Sequence, residues 1–425
     1  MPNSNDLQSV LDDLWSELDL EMQATGELQP TCFFNAYHEA AVANGDCPDL
    51  DHTPVLKDGV ARPYQVDGYA LDTERGELHL VVCDIRTERQ LQTINQLGID
   101  QLFRRAERLF DNALAPDFVN KLEETSPAFE VSYPIYSHAS MISRVRLVVF
   151  TNARLSTKRK SVDSKEKNGR TFTYNVIDLS RFDEIQESRS GAEALTIDLI
   201  ELQRDGLPAL AAHSGGDAYE SYLVAMPGEL LANIYGLYGA RLLEQNVRTF
   251  LQARTKVNKG IINTISEAPE MFFAYNNGLT VTASGVQAQR NEQGITTLYS
   301  IYNMQIVNGG QTTASILYAK DRNKADLSKV FVQMKLSVVD PQHVEEIVPK
   351  ISRYANTQNK VNEADFFASH PFHVEMEKIS RRLSTPMKAG ALSASKWFYE
   401  RARGQYKDRL AYGTPAQKRK FETEF

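Results

Sequence analysis

The sequence predicts an α/β protein in two parts: an N-terminal α/β domain over residues 1–190, then a mixed α+β domain over residues 191–425. Three observations lead there. At 425 residues the chain exceeds what one hydrophobic core usually supports. Its 42% apolar and 24% charged residues are ordinary globular composition. Segments of helical and strand periodicity alternate along it, and the texture changes near residue 190.

Leu7, Val10, Leu11, Leu14, Leu18 and Met22 recur at helical spacing, which predicts an amphipathic helix over 7–24. A second helix is expected from Cys32 to Ala43, stopped at Asn44-Gly45 because glycine supplies the left-handed cap. A loop rich in Asp and Pro follows. Val66 to Asp72 and Leu78 to Ile85 read as strands joined by Thr73-Glu74-Arg75-Gly76-Glu77, a hairpin with a glycine in its turn. Helical sequence is expected from Leu91 to Glu124. Two β-prone runs come next, Val145 to Thr151 and Phe172 to Ile177, the second leading into a helix capped by Ser180. Between them, RLSTKRKSVDSKEKNGR (154–170) is polar and locally basic, an exposed loop that is either solvated or phosphate-contacting. In the second part, strands are expected near 194–201, 219–225, 279–287, 298–307 and 330–339. Helices are expected near 228–237, 240–254, 312–320, 343–355 and 371–383.

Several classes are excluded. No apolar run reaches the roughly 18 residues a membrane span needs, and the acidic N-terminus lacks the basic start and apolar centre of a signal peptide. A cytoplasmic protein with no membrane partner is therefore expected. Cys32, Cys47 and Cys83 form no CxxC pair and read as buried, reduced thiols. His370 and His373 lie three apart, but Pro371 marks a helix start and no acidic third ligand is evident, so no metal is expected there. A net charge of −8 argues against a whole-surface nucleic-acid binder. A local basic patch remains open, since phosphate contacts act within about a Debye length.

The hairpin carries two acids. Reflection about Arg75-Gly76 sets Asp67 opposite Asp84, with Cβ atoms about 5 Å apart. Two carboxylates there repel unless something positive lies between them, and a divalent ion, Mg²⁺ or Mn²⁺, is one solution. Arg86 falls on the face of Asp84 by strand periodicity. A solvated hairpin edge is the plain alternative. The run VDGYALDTERGELHLVVCDIR resembles the catalytic hairpin of PD-(D/E)xK nucleases. With the order helix, hairpin, helix, strand, strand, that resemblance implies a restriction-endonuclease-like N-terminal domain. It implies Asp67 and Asp84 as the metal-binding acids and Glu39 as the additional helix acid. Arg86 stands where the family has its lysine. Arginine stays protonated, so Arg86 can hold phosphate but cannot act as a general base. A Mg-dependent endonuclease and a degenerate nuclease fold both stay open.

The second part holds several ordered motifs. Met304 to Val307 reads as a strand, Asn308-Gly309-Gly310 as a tight turn, and Gln311-Thr312-Thr313 as a helix start. Free backbone N–H groups beside a positive dipole end suit phosphate, though a plain capped helix reads the same way. Asn276-Asn277-Gly278 is a turn whose asparagines could hold backbone or ligand. Arg353, Tyr354, Asn356, Gln358 and Asn359 make an amide-rich helix end, suited to phosphate and base contacts or to capping. Arg248 lies four residues after Glu244, the spacing of an intrahelical ion pair. Together these residues favour a polar pocket for nucleic acid or nucleotide.

YGARLLEQNVRTFL, VNKGIINTISEAPEMFFAYNNGLTVTASGV, MQIVNGGQTTASIL, ISRYANTQNKVNEADFFASHPFH and WFYERARGQY together resemble the AIPR domain of abortive-infection phage-resistance proteins, over residues 170–420. The resemblance implies an anti-phage defence protein: a metal-dependent nuclease regulated by its AIPR domain. The alternative is a non-catalytic nucleic-acid or nucleotide sensor. The partners implied are nucleic acid, DNA rather than RNA, and a phage-derived trigger; a homo-oligomer is open. Relatives usually continue beyond QYKDRLAYGTPAQKRKFETEF, so a C-terminally truncated AIPR domain is expected.

Overall fold

Residues 4–156, 162–187, 194–214, 218–243, 259–292, 295–356, 370–385, 395–401, 405–412 and 415–425 are described in the computed structural model. Two large sheets organise them. The first runs β1-β2-β3-β5-β8-β7, built from β1 (Asp51–Lys57), β2 (Tyr64–Asp72), β3 (Glu77–Asp84), β5 (Arg144–Thr151), β7 (Val162–Lys167) and β8 (Arg170–Ile177). Strands β1, β2 and β3 are antiparallel; β3, β5 and β8 are parallel; β7 returns antiparallel to β8. A small parallel pair, β4 (Thr93–Ile94) with β6 (Arg154–Leu155), lies beside this sheet.

Every residue of β5 is buried, as expected of a central strand covered on both faces. On one face Leu80, Val82, Leu147, Val149 and Phe172 pack against α3 (Gln96–Ala113) and α4 (Pro127–Ser137). On the other, Val81, Val148 and Phe150 pack against α1 (Ser4–Thr25), α2 (Gln29–Asn44) and α5 (Leu179–Glu187). Trp15, Phe33 and Tyr37 are fully buried in that second layer, where each large side chain removed from water contributes about 1.5–3 kcal/mol.

The second sheet runs β13-β14-β10-β11-β16-β12-β15, with β9 (Thr196–Asp198) pairing β14. Its strands are β10 (Leu207–Ser214), β11 (Tyr219–Pro227), β12 (Leu279–Ala283), β13 (Gly285–Arg290), β14 (Thr296–Tyr302), β15 (Gln305–Asn308) and β16 (Phe331–Val339). Along β11, Tyr222, Val224 and Met226 are buried while Leu223 is exposed, so one face is packed and the other faces solvent. The packed face carries α6 (Gly228–Tyr238), α7 (Lys259–Glu267) and α8 (Gly310–Asn323). α9 (Val344–Asn356) follows β16. α10 (Pro371–Arg382), α11 (Gln405–Tyr412) and α12 (Pro415–Glu424) then join around Phe398, which meets Tyr406, Phe421 and Phe425 edge-on.

The two sheets are tied by charge. Arg144 and Arg146 project from the buried β5 and both donate to the carbonyl of Gly236, at 3.0 and 3.2 Å. Arg144 also donates to Asp321 of α8 at 2.8 Å, and Arg146 to Glu77 at 2.9 Å. α6 and α8 thus meet the start of β5. Among the described residues, no helix is long and apolar enough to cross a membrane. Cys32, Cys47 and Cys83 are buried free thiols.

Most expected elements form, with instructive exceptions. Gly45 caps α2 at φ 83° as anticipated. The Asp/Pro-rich loop instead contains edge strand β1. The expected helix 91–124 begins only at Gln96, where Asn95 accepts from the Gly98 N–H at 3.0 Å, and it stops at Ala113. α5 is capped by Asp178, whose Oδ1 accepts from the Arg181 N–H at 3.0 Å; Ser180 lies inside the first turn. Within 154–170 the loop reading fails for 162–167, which is β7, held by its ladder to β8. The strand expected over 298–307 is broken at Asn303, whose φ is +51°. Of the helix expected over 240–254, residues 244–254 lie outside the described residues.

Candidate functional site

The hairpin register differs from expectation. The Asp72 carboxylate accepts from the Arg75 N–H at 2.8 Å, and Gly76 takes φ +70°, closing a turn over residues 73–76. The ladder then pairs Asp72 with Glu77 and Gly68 with Val81. Continued, it sets Asp67 across from Val82 and Gln65 across from Asp84, so the two acids are not directly opposed. The predicted turn centre lay one residue too far along the chain, and each such step moves the facing partner by two.

Regular pairing stops at Gly68, and side chains take over from backbone. The Cys83 N–H donates to Asp67 Oδ2 at 2.7 Å. Gln65 Nε2 donates to the same oxygen at 3.0 Å and to the Cys83 carbonyl at 2.9 Å. Arg105 of α3 donates to Gln65 Oε1 at 3.1 Å. Burial pushes the Asp67 carboxyl up to about 6, against the lowering effect of the bonds from Cys83 and Gln65. Among the described residues it makes no ion pair.

Asp84 ends β3 beside the end of β5. Its Oδ2 accepts from Thr151 Oγ1 at 3.0 Å and from Arg86 Nε at 2.9 Å. Asn152 holds the backbone of Arg86 from both sides: its Oδ1 accepts from the Arg86 N–H at 2.8 Å and its Nδ2 donates to the Arg86 carbonyl at 2.9 Å. Each aspartate therefore spends Oδ2 on the protein, while Oδ1 makes no hydrogen bond within the described chain. Glu39 is not gathered in. It lies on α2, exposed, with Arg382 of α10 at 3.8 Å. Among the described residues, Glu21, Glu27 and Cys32 have ligand atoms all within 4.8 Å of one another, and no such group of three includes Asp67 or Asp84.

Gln65, Arg105, Thr151 and Asn152 were missed as site residues. The pair Thr151-Asn152 was the readable signal, two polar residues closing an apolar run. Of the basic stretch, residues 157–161 lie outside the described residues, and Lys167 pairs with Asp111 at 3.0 Å and Glu107 at 3.5 Å.

The amide motifs of the second part do converge. Asn276 Oδ1 accepts from the Gly278 N–H at 2.9 Å, forming its turn, and Asn276 Nδ2 donates to Thr312 Oγ1 at 3.3 Å. Asn308 Nδ2 donates to the Ala355 carbonyl at 2.6 Å. β12, the start of α8 and the end of α9 thus meet at the end of β15. Gly309 has φ +98°, and a Cβ there would lie 2.3 Å from Leu279 Cδ2. Gly310 is the first residue of α8; Gln311 and Asn277 are exposed. Arg353 is exposed on α9. Arg248, Gln358, Asn359 and the side chain of Asn356 lie outside the described residues. His370 Nδ1 accepts from the Phe372 N–H at 3.2 Å and caps α10, while His373 meets Tyr399 Oη at 2.6 Å.

Residues 33–184 match the family model described as abortive infection phage resistance protein N-terminal domain, and residues 243–425 match that described as AIPR protein. No curated protein and no solved structure matches the chain.

Proposed function

Since the chain belongs to the AIPR family of abortive-infection phage-resistance proteins, we propose that its N-terminal part is a restriction-endonuclease-like module that cleaves nucleic acid with a divalent metal during anti-phage defence. One observation carries this reading. Asp67 is a carboxyl pushed up to about 6 by burial, with no ion pair among the described residues, set where β2 and β3 part and, by the ladder's register, two residues off Asp84 on the facing strand. A carboxylate kept at such a cost, with one oxygen uncommitted, suits a site that expects positive charge.

The connectivity supports the same reading: a helix, three antiparallel strands, a helical crossover and a strand parallel to the third. Asp67 and Asp84 would hold Mg²⁺ or Mn²⁺ through their Oδ1 atoms. When bound, such an ion polarises a phosphodiester and lowers the pKa of its water. Gln65 and the Cys83 N–H orient Asp67, Thr151 orients Asp84, and Asn152 fixes the backbone of Arg86. The guanidiniums of Arg86 and Arg105 would steady phosphate charge; neither accepts a proton at physiological pH. Glu39 would have to leave Arg382 to assist.

The Arg86–Asp84 contact favours a second reading. A guanidinium 2.9 Å from Asp84 already supplies the positive charge a metal would bring, as in a degenerate module that binds without cutting. The deciding experiment incubates the purified protein with plasmid and with single-stranded substrate, in Mg²⁺, Mn²⁺ or EDTA, beside Asp84→Asn. Metal-dependent cleavage lost in the variant is expected. Cleavage undiminished in Asp84→Asn, or no cleavage by the wild type in either metal, refutes the catalytic reading.

A further inference from the structure

We propose that His79 makes the junction between the two sheets acid-sensitive: neutral, it lets α6 and α8 close over the start of the first sheet, and protonated, it loosens them. This rests on the packing of the junction and does not depend on cleavage.

His79 stands on β3, paired in the ladder with Arg146 of β5, and is 7% exposed. Its Nε2 lies 3.9 Å from Glu77 Oε2, and its Nδ1 has no hydrogen-bond partner among the described residues. A buried ring nitrogen without a partner costs free energy and calls for an explanation.

The charges around it are already matched. Glu77 is shared between Arg146 at 2.9 Å and Arg144 at 3.9 Å. Arg144 also holds Asp321 of α8 at 2.8 Å, and Arg75 of the turn holds Asp72 at 3.6 Å. Tyr235 of α6 is buried within electrostatic reach of Arg75, Glu77, Arg146 and Asp72, and burial keeps its hydroxyl protonated. At the rim, Arg322 donates to the Ser140 carbonyl, Lys320 pairs with Glu229, and Glu74 stands in solvent. Arg75, Arg144 and Arg146 thus meet Asp72, Glu77 and Asp321 inside the junction. A protonated imidazole adds a cation for which no buried carboxylate is left among the described residues.

Burial holds the ring below its ordinary range, against the pull of Glu77, and Arg146 lowers it further. The unfolded chain therefore takes up the proton more readily. Stability from the closed junction is complete above about pH 6.5 and falls as pH drops through the folded pKa. The covering layer is what gives way. The Gly236 backbone lies on Arg144, where a Cβ would come within 3.1 Å of Nη2, so surplus positive charge there pushes against α6. The hairpin held at its turn by this junction carries Asp67 and Asp84 at its other end.

The test is hydrogen exchange of the full-length protein by mass spectrometry at pH 8, 6.5 and 5.5, corrected for intrinsic rates. In the wild type, peptides covering 72–80 and 228–238 should lose protection below pH 6.5, by up to about tenfold per pH unit, the most one proton gives. Peptides of β12 and β15 should keep theirs. His79→Gln has nothing to protonate and should hold its protection across the range. His79→Met is a second neutral substitution with the same expectation, and thermal melting at pH 8 checks that each variant folds. Asp67 titrates with the opposite effect on stability, but it is common to wild type and variants and cancels in the difference. An equal loss in the neutral variants, a loss spread evenly over the whole chain, or full protection of the wild-type junction at pH 5.5 overturns the proposal. Should neither variant fold, the wild-type profile decides alone.

Discussion

Replacing Asp67 by Asn should stabilise the protein at neutral pH. Burial lifts the Asp67 carboxyl from 3.8 to about 6, which corresponds to about 3 kcal/mol at 1.36 kcal/mol per tenfold change in proton affinity. A group whose folded pKa is raised contributes stability that is complete below its unfolded pKa and is lost as pH rises through the folded one. The wild type should therefore lose this stability between about pH 4 and pH 6. Asn carries no charge at any of these pH values and keeps an oxygen for the Cys83 N–H. Asp67→Asn should exceed wild type by up to about 3 kcal/mol at pH 8 and match it near pH 4. The figure is an upper bound, since Asp67 keeps some solvent contact. Urea unfolding at a series of pH values measures it. Mg²⁺ should raise the wild-type midpoint at pH 8 and leave the variant unmoved, because the ion would offset the buried charge. A gain of the same size at pH 4 and pH 8, or a variant less stable than wild type at pH 8, refutes the reasoning.

Two further outcomes follow from the packing. Asp321→Ala takes the nearest carboxylate from Arg144, whose side chain is only 6% exposed, and leaves it Glu77 at 3.9 Å and the Gly236 carbonyl; the loss should cost about 1–3 kcal/mol in chemical unfolding. The double variant Arg144→Met with Asp321→Leu should recover most of that loss, and failure to recover would mean the pair contributes more than its own neutralisation. Gly309→Ala forces a side chain into φ +98° and against Leu279, so the melting temperature should fall by an amount equivalent to about 1–3 kcal/mol.

Much of the fold was legible because local signals agreed with tertiary demands. The apolar run of β5, the Gly45 stop and the spacing of Leu7 to Met22 each announce one element, and each forms. The failures have local causes with non-local partners. β1 reads as a loop because His52 and Pro54 interrupt it, yet an edge strand tolerates both when its neighbour β2 supplies the ladder. β7 reads as a charged loop because its lysines and acids are edge residues, and Lys167 finds Glu107 and Asp111 only after α3 is in place. At the hairpin both strands were evident, but one hydrogen bond from Arg75 to Asp72 shifted the turn, and the facing partners with it.

The sequence by itself determined most of the elements and their order, the two acids of the hairpin and the amide-bearing turns, because capping, periodicity and turn chemistry act within a few residues. Only the tertiary structure decided how these meet. It set Thr151 on Asp84, Arg105 behind Gln65, Glu39 on Arg382, and Asn276 on Thr312. It also partnered two arginines of a buried strand with Gly236 of α6 and Asp321 of α8. Such contacts depend on register and on packing between distant segments, and the spacing of residues along a chain carries neither.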